Sequence, residues 1–334
     1  MGVITTGHPP GGQRLILAES LPLNSPLVLQ VFPIYACNLK CSYCHMSIPQ
    51  GNREFITDEP MLDEKLFDVW MSECQQFAKM IRVIRFVGMG EPLLHPKITD
   101  MIYTVHKYCI AEKIELLTNG VSLNPNFAWD LPRLGLTKMI ISVQGIRSED
   151  YVMASGGKFD FDGFIRHLDH VYQYKRDMQI HIKGIDCTID DEQKFYDTFL
   201  PFCDTISIEK VGPIYRGVED NKKNPLGDET QYKAKRQKVT ICPMPFVSMQ
   251  VNPDGKVVPC YATEYPCFIG DCNKESLFDI WHGEKLREFR LRMLDGREKA
   301  SANCVSCKMI DHRMYKQDSL EGHGERLKEA YKCS

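Results

Sequence analysis

The chain has 334 residues, of which 43% are hydrophobic and 25% charged, and its formal net charge is −3. This composition is ordinary for a soluble globular protein, and the weak negative charge offers no basic footprint for nucleic acid. No apolar run approaches the roughly 18 residues that a membrane span needs. Residues 1–13 lack the charged and then apolar pattern of a signal peptide. We therefore expect a cytoplasmic protein that binds neither nucleic acid nor membrane.

Strand-like and helix-like patterns alternate six times after an irregular lead over residues 1–26. The predicted strands are short apolar runs at 27–34, 83–87, 114–117, 138–143, 180–185 and 205–208. The predicted helices lie between them at 62–80, 98–108, 126–134, 161–174 and 191–200. This alternation is typical of parallel β/α units, and six units are fewer than the eight of a closed barrel. We predict an α/β fold with an open, partial (β/α)6 barrel over residues 27–217.

The chain changes character after the sixth predicted strand. Residues 218–238 are polar and of mixed charge, with Asn-Pro and Leu-Gly breakers, and this predicts a linker. Residues 247–251 and 256–259 flank an Asn-Pro-Asp-Gly turn, so they are predicted to pair as a tight hairpin. A helix over 276–294 follows. We predict a small C-terminal α+β domain over residues 239–334.

Fourteen cysteines require an explanation in a chain assigned to a reducing compartment. Such a compartment disfavours a disulfide framework, and short C-x2-C and C-x3-C spacings favour metal binding. Cys74 and Cys109 stand singly in helical patterns, and we interpret them as small buried hydrophobic residues.

The first cysteine group lies directly after the first predicted strand. Cys37, Cys41 and Cys44 have the spacing C-x3-C-x2-C, and thiolates this close on a turning backbone converge on one soft-metal centre. A four-iron cluster normally takes four thiolates, so three leave one iron open to a small molecule. His45 as a fourth ligand to zinc would need an awkward reach from its position beside Cys44.

The second cysteine group consists of two residues beside the hairpin and a later C-x2-C pair: Cys242, Cys260, Cys304 and Cys307. Four thiolates can ligate a metal centre completely, and spacing alone leaves structural zinc and an iron–sulfur cluster as alternatives. Cys267, Cys272 and Cys333 either form part of an irregular further metal site or are free thiols, and the lack of a fourth ligand favours free thiols.

The first group resembles the signature of the radical S-adenosylmethionine (SAM) superfamily. The resemblance implies a [4Fe-4S] cluster held by Cys37, Cys41 and Cys44, whose open iron binds S-adenosyl-L-methionine. One-electron reduction, by an external reductant such as flavodoxin or ferredoxin, then yields a 5′-deoxyadenosyl radical that abstracts a hydrogen atom from substrate.

Further segments at strand ends also resemble this family. Residues 88–92 (GMGEP) resemble its GGEP motif, with Met89 in place of a glycine, and Gln144 stands where Asp is more usual. The resemblance implies that SAM is bound by Tyr43, Gly88, Gly90, Glu91, Pro92, Thr118, Asn119, Ser142 and Gln144. Half of a dinucleotide fingerprint is the alternative for residues 88–90, but its third glycine would fall at Leu93, where no helix opens.

The C-terminal region resembles the SPASM/Twitch extension of a subset of radical SAM enzymes. Cys242-x12-Gly255-x4-Cys260 fits its opening, and residues 276–282 (SLFDIWH) fit a later segment. Full SPASM domains carry a further cysteine six positions after Cys307, where this chain has Arg313. The resemblance therefore implies the shorter Twitch arrangement, similar to that of an aminocyclitol dehydrogenase, with one auxiliary [4Fe-4S] cluster on Cys242, Cys260, Cys304 and Cys307.

Oxidation is the simplest use of a fully ligated second cluster, because a substrate radical beside oxygen or nitrogen becomes a carbonyl or imine when it loses an electron and a proton. We predict dehydrogenation of a hydroxylated or amino small molecule such as a sugar or aminocyclitol. Lys183, Glu209 and Arg216 are candidates for orienting it.

Other functions remain open from the sequence. The chain is alternatively a radical epimerase or another modifier of a ribosomal peptide or protein. In an epimerase a thiol returns hydrogen from the opposite face, and Cys187 and Cys203 are the candidate donors; burial in the barrel wall is the alternative for both. A glycyl-radical activase and a non-enzymatic metal-binding scaffold are further alternatives, but residues 88–92 would have no purpose in a scaffold.

Overall fold

The computed structural model describes residues 2–7, 14–49, 52–53, 59–156, 158–211, 218, 227–262 and 264–332. The described strands, in chain order, are β1 (Val3–Ile4), β2 (Val28–Val31), β3 (Ile81–Phe86), β4 (Ala111–Thr118), β5 (Lys138–Ser142), β6 (Gln179–Ile185), β7 (Thr205–Glu209), β8 (Ser248–Val251), β9 (Lys256–Val258) and β10 (Gly270–Asp271). They form one sheet in the order β1-β7-β6-β5-β4-β3-β2-β8-β9-β10.

The described α-helices are α1 (Leu17–Ser20), α2 (Glu64–Glu73), α3 (Ile98–Lys107), α4 (Pro125–Asp130), α5 (Ser148–Ser155), α6 (Phe161–Tyr174), α7 (Glu192–Phe199), α8 (Met244–Val247), α9 (Leu277–His282), α10 (Glu284–Leu294), α11 (Arg297–Ala300), α12 (Ala302–Ser306), α13 (Met309–Arg313) and α14 (Gly324–Lys332). Within the described residues, none of the helices combines the length and apolar character that crossing a bilayer requires.

Strands β2 to β7 are six parallel neighbours, and they confirm the predicted partial (β/α)6 barrel. Alternate residues on these strands face opposite sides of the sheet. Leu29, Ile84 and Met139 belong to the apolar core formed with the helices. Gln30 and Arg85, in register with each other, line the concave side, which we call the lumen. The lumen wall therefore combines polar side chains with apolar ones such as Leu117 and Ile140, whereas the helix-facing side is apolar.

The C-terminal region continues the barrel sheet. Strand β8 pairs in parallel with β2, and β9 and β10 follow in antiparallel order. The predicted hairpin is confirmed, with Gly255 at a φ of 81° in its turn, a conformation that glycine adopts without strain. Phe246, Phe289 and Leu327 contribute to a second apolar core beneath it. The pairing places the hairpin beside the strand that leads into Cys37.

Several elements differ from the sequence prediction. Within the predicted irregular lead, β1 pairs with β7 and α1 forms a short helix. Helix α5 was not predicted, and the helix predicted over 276–294 is two helices that meet at Gly283. Phe67, Trp70 and Met71 form the buried face of α2, whereas Leu66 and Val69 are exposed.

The segment predicted as a linker is described from residue 227 onward and at Val218. Thr230, Gln231 and Tyr232 are buried in it. The Gln231 backbone N–H donates to the His312 carbonyl at 2.9 Å. The described part of the segment therefore packs between barrel and C-terminal region.

Candidate active site

Cys37, Cys41 and Cys44 lie on one loop at the carboxyl end of β2. The N–H of Cys44 donates to the carbonyl of Cys41 at 2.9 Å, which turns the loop back on itself. Burial raises the pKa of all three thiols, to about 11 for Cys37, and the neighbouring cysteines raise the pKa values of Cys37 and Cys41 further. Each thiolate makes it harder for its neighbours to ionise. Bound iron would supply the positive charge that stabilises all three thiolates together.

The GMGEP loop, residues 88–92, contacts the backbone that leads to Cys37. A Cβ on Gly90 would lie 2.1 Å from the carbonyl oxygen of Ile34, so only glycine permits this contact. The N–H of Glu91 donates to the carbonyl of Ala36 at 2.8 Å. The loop after β3 is thereby fixed against the backbone immediately before the first cysteine.

Glu91 joins this loop to the end of β4. Its buried carboxylate accepts from the Thr118 hydroxyl at 2.6 Å and from the Asn119 N–H at 2.7 Å. Burial raises the pKa of Glu91, and these hydrogen bonds lower it in part. The Asn119 amide donates to Asn38 at 2.7 Å and lies 3.7 Å from the sulfur of Cys37. Glu91 and Asn119 thus brace the cysteine loop, while their contacts with SAM stay predictions.

The other side of the loop rests on β5 and α5. The hydroxyl of Tyr43 donates to the Gln144 side chain at 2.5 Å, and that side chain donates to the carbonyl of Ser142 at 3.0 Å. The N–H of Lys40 donates to the carbonyl of Ala154 in α5 at 2.7 Å. The structure therefore brings the predicted SAM-binding residues of four strand ends around one loop.

A cavity with about 1220 Å³ of empty space opens from this loop into the lumen. Tyr43, Gly88 and Met89 line the end beside the cysteines. Lys183 and Glu209 line another part of the wall as an ion pair at 3.5 Å. Two of the predicted cofactor residues, Tyr43 and Gly88, and two of the predicted catalytic residues therefore line the same cavity.

The remaining predicted catalytic residues have different positions. Cys203 is fully buried near Gly2 and precedes β7, at the end of the strand away from the cysteine loop, so its assignment as a hydrogen donor is withdrawn. Cys187 follows β6 at the carboxyl end, is exposed, and is close enough to raise the pKa of Tyr43. Arg216 lies outside the described residues.

The auxiliary cysteines surround a second cavity, with about 460 Å³ of empty space, and all four line it: Cys242, Cys260, Cys304 and Cys307. Burial raises the pKa of each thiol, to about 12 for Cys304. In the described part of the chain, no three His, Cys, Asp or Glu side chains are grouped as ligands of one metal ion. All four thiols face one shared cavity, and a multi-iron cluster needs space of this kind between its ligands.

The two cavities share walls. Tyr261 and Met309 line both the lumen cavity and the auxiliary cavity. Tyr261 follows Cys260 directly, and Met309 comes two positions after Cys307. A group bound among the auxiliary cysteines would therefore be separated from the lumen by these side chains.

Sequence analysis did not identify Gln231, Tyr232, Tyr261 and Arg313 as lining residues. Arg313 donates from Nε to Gln231 at 2.8 Å, and Gln231 donates to Glu209 at 3.4 Å. The position of Tyr261 beside a predicted ligand was an available signal. No local signal marked the others, because their contacts join distant parts of the chain.

An open parallel barrel with a three-cysteine loop at the carboxyl ends of its strands, beside a four-cysteine cavity, defines a class of iron–sulfur radical enzymes. The chain belongs to the radical SAM superfamily, whose family description matches residues 31–197, half of the chain. A second family description, SPASM, an iron–sulfur cluster-binding domain, matches residues 242–308. The chain is thus a radical SAM enzyme. The predicted SAM, SAM-binding [4Fe-4S] cluster and auxiliary cluster are confirmed, and the zinc alternative is set aside.

Among curated proteins, the chain is similar to the tungsten-containing aldehyde ferredoxin oxidoreductase cofactor-modifying protein of Pyrococcus furiosus. The two are 22% identical over 329 residues, covering 82% of this chain and 85% of that protein. A probable GTP 3′,8-cyclase of Archaeoglobus fulgidus is 29% identical over 122 residues, covering 36% of each chain.

Solved structures share the fold. BtrN in complex with AdoMet and 2-DOIA has a TM-score of 0.55 at 19% identity, covering 88% of this chain and 98% of BtrN. AnSMEcpe with bound AdoMet has a TM-score of 0.57 at 17% identity, covering 92% and 100%. SuiB of Streptococcus suis bound to the precursor peptide SuiA has a TM-score of 0.58 at 16% identity, covering 81% and 67%.

Proposed function

We propose that this enzyme dehydrogenates a hydroxylated or amino small molecule, such as a sugar or aminocyclitol, in the lumen cavity. The observation that carries the proposal is the shared wall of Tyr261 and Met309, which places the auxiliary cysteines next to that cavity. When bound, the SAM-ligating cluster supplies the radical that removes a hydrogen atom, and the auxiliary cluster supplies an acceptor for the remaining electron.

The chain's own residues provide the other requirements of such an oxidation. A substrate radical beside a hydroxyl group must also lose a proton, and Glu209 is the carboxylate on the lumen wall that we assign as its acceptor. Lys183 holds Glu209 from one side at 3.5 Å and Gln231 holds it from another at 3.4 Å. These contacts orient the carboxylate before substrate arrives, which is the requirement for a positioned general base.

The proposed partners are a small-molecule substrate and an external one-electron reductant such as flavodoxin or ferredoxin. Support for a small substrate comes from the enclosed lumen cavity and from the fold shared with BtrN, which was solved with AdoMet and 2-DOIA.

The proposal is tested by incubating reduced protein and SAM with deuterated candidate sugars and aminocyclitols. We expect deuterium in 5′-deoxyadenosine and a product lighter by two hydrogens. Glu209→Gln should retain deuterium transfer and lose product, whereas Glu284→Gln, a change at an exposed carboxylate on α10, should match the parent. Deuterium transfer with a product in which hydrogen has only replaced the lost deuterium would contradict dehydrogenation.

Epimerisation of a peptide or small molecule is the second candidate function. It is favoured by Cys187, an exposed thiol near Tyr43 at the carboxyl end of β6. The same assay run in D2O distinguishes it, because an epimerase would place one solvent deuterium in a product of otherwise unchanged composition. Cys187→Ala would then abolish that incorporation. The fold shared with SuiB, which was solved with a precursor peptide, supports a peptide as the substrate of such an epimerase.

A further inference from the structure

A third cavity adjoins the lumen cavity on the side away from Cys37, Cys41 and Cys44. It has about 720 Å³ of empty space, and we call it the distal cavity. Four residues line both cavities: Gln30, Tyr232, Tyr261 and Arg313. Ser248 and Val28, at the amino ends of β8 and β2, line its far wall. These four side chains form the boundary between the two cavities, so a substrate that occupied both would pass between them.

The described lining of the distal cavity is electropositive. It includes three arginines, Arg14, Arg82 and Arg313, and one acidic residue, Asp318. This excess contrasts with the net charge of −3 of the whole chain. Charge collected against a partly enclosed wall favours a ligand of opposite sign, because the interaction is screened less there than at an open surface.

The Arg14 guanidinium is held in place by an ion pair and an aromatic ring. Arg14 forms an ion pair with Asp318 and stacks 3.8 Å above the ring of Tyr315. Tyr315 in turn stacks on Tyr232, with ring centroids 4.9 Å apart. These contacts reduce the freedom that Arg14 would lose when a ligand binds.

Arg313 is positioned at the boundary between the two cavities. Its Nε donates to Gln231 at 2.8 Å, and its guanidinium lies 5.3 Å from the centroid of the Tyr261 ring. A guanidinium presents several donors in one plane, a geometry that matches the two oxygens of a carboxylate or phosphate. Leucine, valine and methionine side chains complete the wall and suit the organic part of a ligand: Leu15, Leu17, Val28, Met244 and Val247.

We propose that the distal cavity binds an oxyanion, a phosphate or a carboxylate, carried by the substrate. That the oxyanion belongs to the substrate rests on the proposed function; that the cavity binds oxyanions does not. The substrate class becomes a hydroxylated or amino compound with an anionic group at one end, and Arg313 becomes a residue that determines specificity.

The test is calorimetric titration of the reconstituted protein at saturating SAM, so that the cofactor site is filled. The probes are inorganic pyrophosphate, succinate and neutral myo-inositol at low ionic strength. We expect one of the two anions to bind about tenfold or more tightly than inositol, with affinity falling as salt rises. Binding of pyrophosphate would identify a phosphate as the group that the cavity binds, and binding of succinate would identify a carboxylate. Equal binding of all three probes, or binding of none, overturns the proposal.

Variants separate the distal cavity from other basic surfaces. Arg313→Gln should weaken binding of the anion about tenfold, because that change removes a guanidinium group from the lining. Arg166→Gln, at an exposed arginine on α6, is the matched control and should bind like the parent. Thermal unfolding confirms that each variant is folded. If Arg313→Gln and Arg166→Gln bind the anion alike, the assignment of the oxyanion site to the distal cavity is wrong.

These titrations involve no turnover, so they are independent of the reaction. Anion binding without dehydrogenation of any anionic candidate would refute the proposed function and leave the oxyanion site standing. Dehydrogenation of a neutral sugar, with no anion binding, would refute the oxyanion site and leave the proposed function standing.

Discussion

The two cysteine sites are built in opposite ways. The radical site takes all of its ligands from one loop, residues 37–44, whereas the auxiliary site collects Cys242, Cys260 and the pair Cys304 and Cys307 from separate segments. A single loop supplies three thiols and leaves a coordination position for SAM. Separate segments supply four, which closes the second centre to ligands. On our proposal, radical chemistry is located where the predicted ligands come from one short loop, and the electron acceptor is located where they come from distant segments.

The sites also differ in what supports them. Glu91 and Asn119, from neighbouring strand ends, brace the radical loop. At the auxiliary site Arg297 donates to the carbonyl of Cys307 at 3.0 Å and forms an ion pair with Asp311 at 3.4 Å. A buried network of hydroxyl and amide groups joins the two regions through Tyr35, Gln250, Asn252 and Tyr265.

The largest expected effect is at the radical loop. Cys41→Ala leaves two thiolates at a site that needs three, so formation of 5′-deoxyadenosine should fall to background. Chromatography of reduced reaction mixtures measures this product. Cys109→Ala, at an exposed cysteine outside both sites, should match the parent. Sustained cleavage by Cys41→Ala would place the radical chemistry elsewhere.

Removal of the auxiliary ligands should have a narrower effect. Cys304→Ala combined with Cys307→Ala should lower iron from about eight to about four atoms per chain and leave SAM cleavage in place, because the radical loop is supported independently. Iron analysis and 5′-deoxyadenosine assays on the same sample measure both quantities. Loss of cleavage in a folded variant would show that the two sites do not act separately.

Gly90→Ala sharpens the account of how the radical loop is held. The added Cβ would lie 2.1 Å from the backbone oxygen of Ile34, so the loop must move, at a cost of about 2–4 kcal/mol in unfolding free energy. Denaturant unfolding and SAM binding measure the two consequences. Gly227→Ala is the control, because among the described residues that are not adjacent to it no atom lies within 4 Å of the new Cβ. Equal behaviour of both variants would reject the close contact.

The smallest effect is expected at the network that joins the two regions. Tyr35→Phe removes a buried hydroxyl that lies 2.9 Å from Asn252 and 3.0 Å from the Tyr265 hydroxyl, and should cost about 1 kcal/mol of unfolding free energy. A double-mutant cycle with Tyr265→Phe should show that the two changes are not additive. Additive losses would mean that the hydroxyls act independently.

Local patterns predicted much of this architecture. Helix α6 matches its predicted range, because the apolar residues of 161–174 recur with helical spacing and Asp160 caps its start. The hairpin follows from its turn residues. The radical cysteines needed no tertiary information, since their spacing lies within one loop.

Other features depend on contacts that no local pattern records. Strand β1 has two residues and exists only through its pairing with β7. In α5, Tyr151 is buried while Val152 and Met153 are exposed, so the segment lacks an apolar stripe. Cys109, predicted to be buried, is exposed at a φ of 52° where α3 ends. Tyr232 and Arg313 reach the lumen from beyond the barrel, and only the folded chain shows that they meet.

The division of labour between the two sites is tested most directly by electron paramagnetic resonance of two reduced variants, each recorded with and without SAM. In the variant that lacks Cys304 and Cys307, we predict a cluster signal that shifts when SAM is added. In the variant that lacks Cys37, Cys41 and Cys44, we predict a cluster signal that SAM leaves unchanged. A SAM-dependent shift in the second variant, or none in the first, would contradict the assignment of the open iron to the loop after β2.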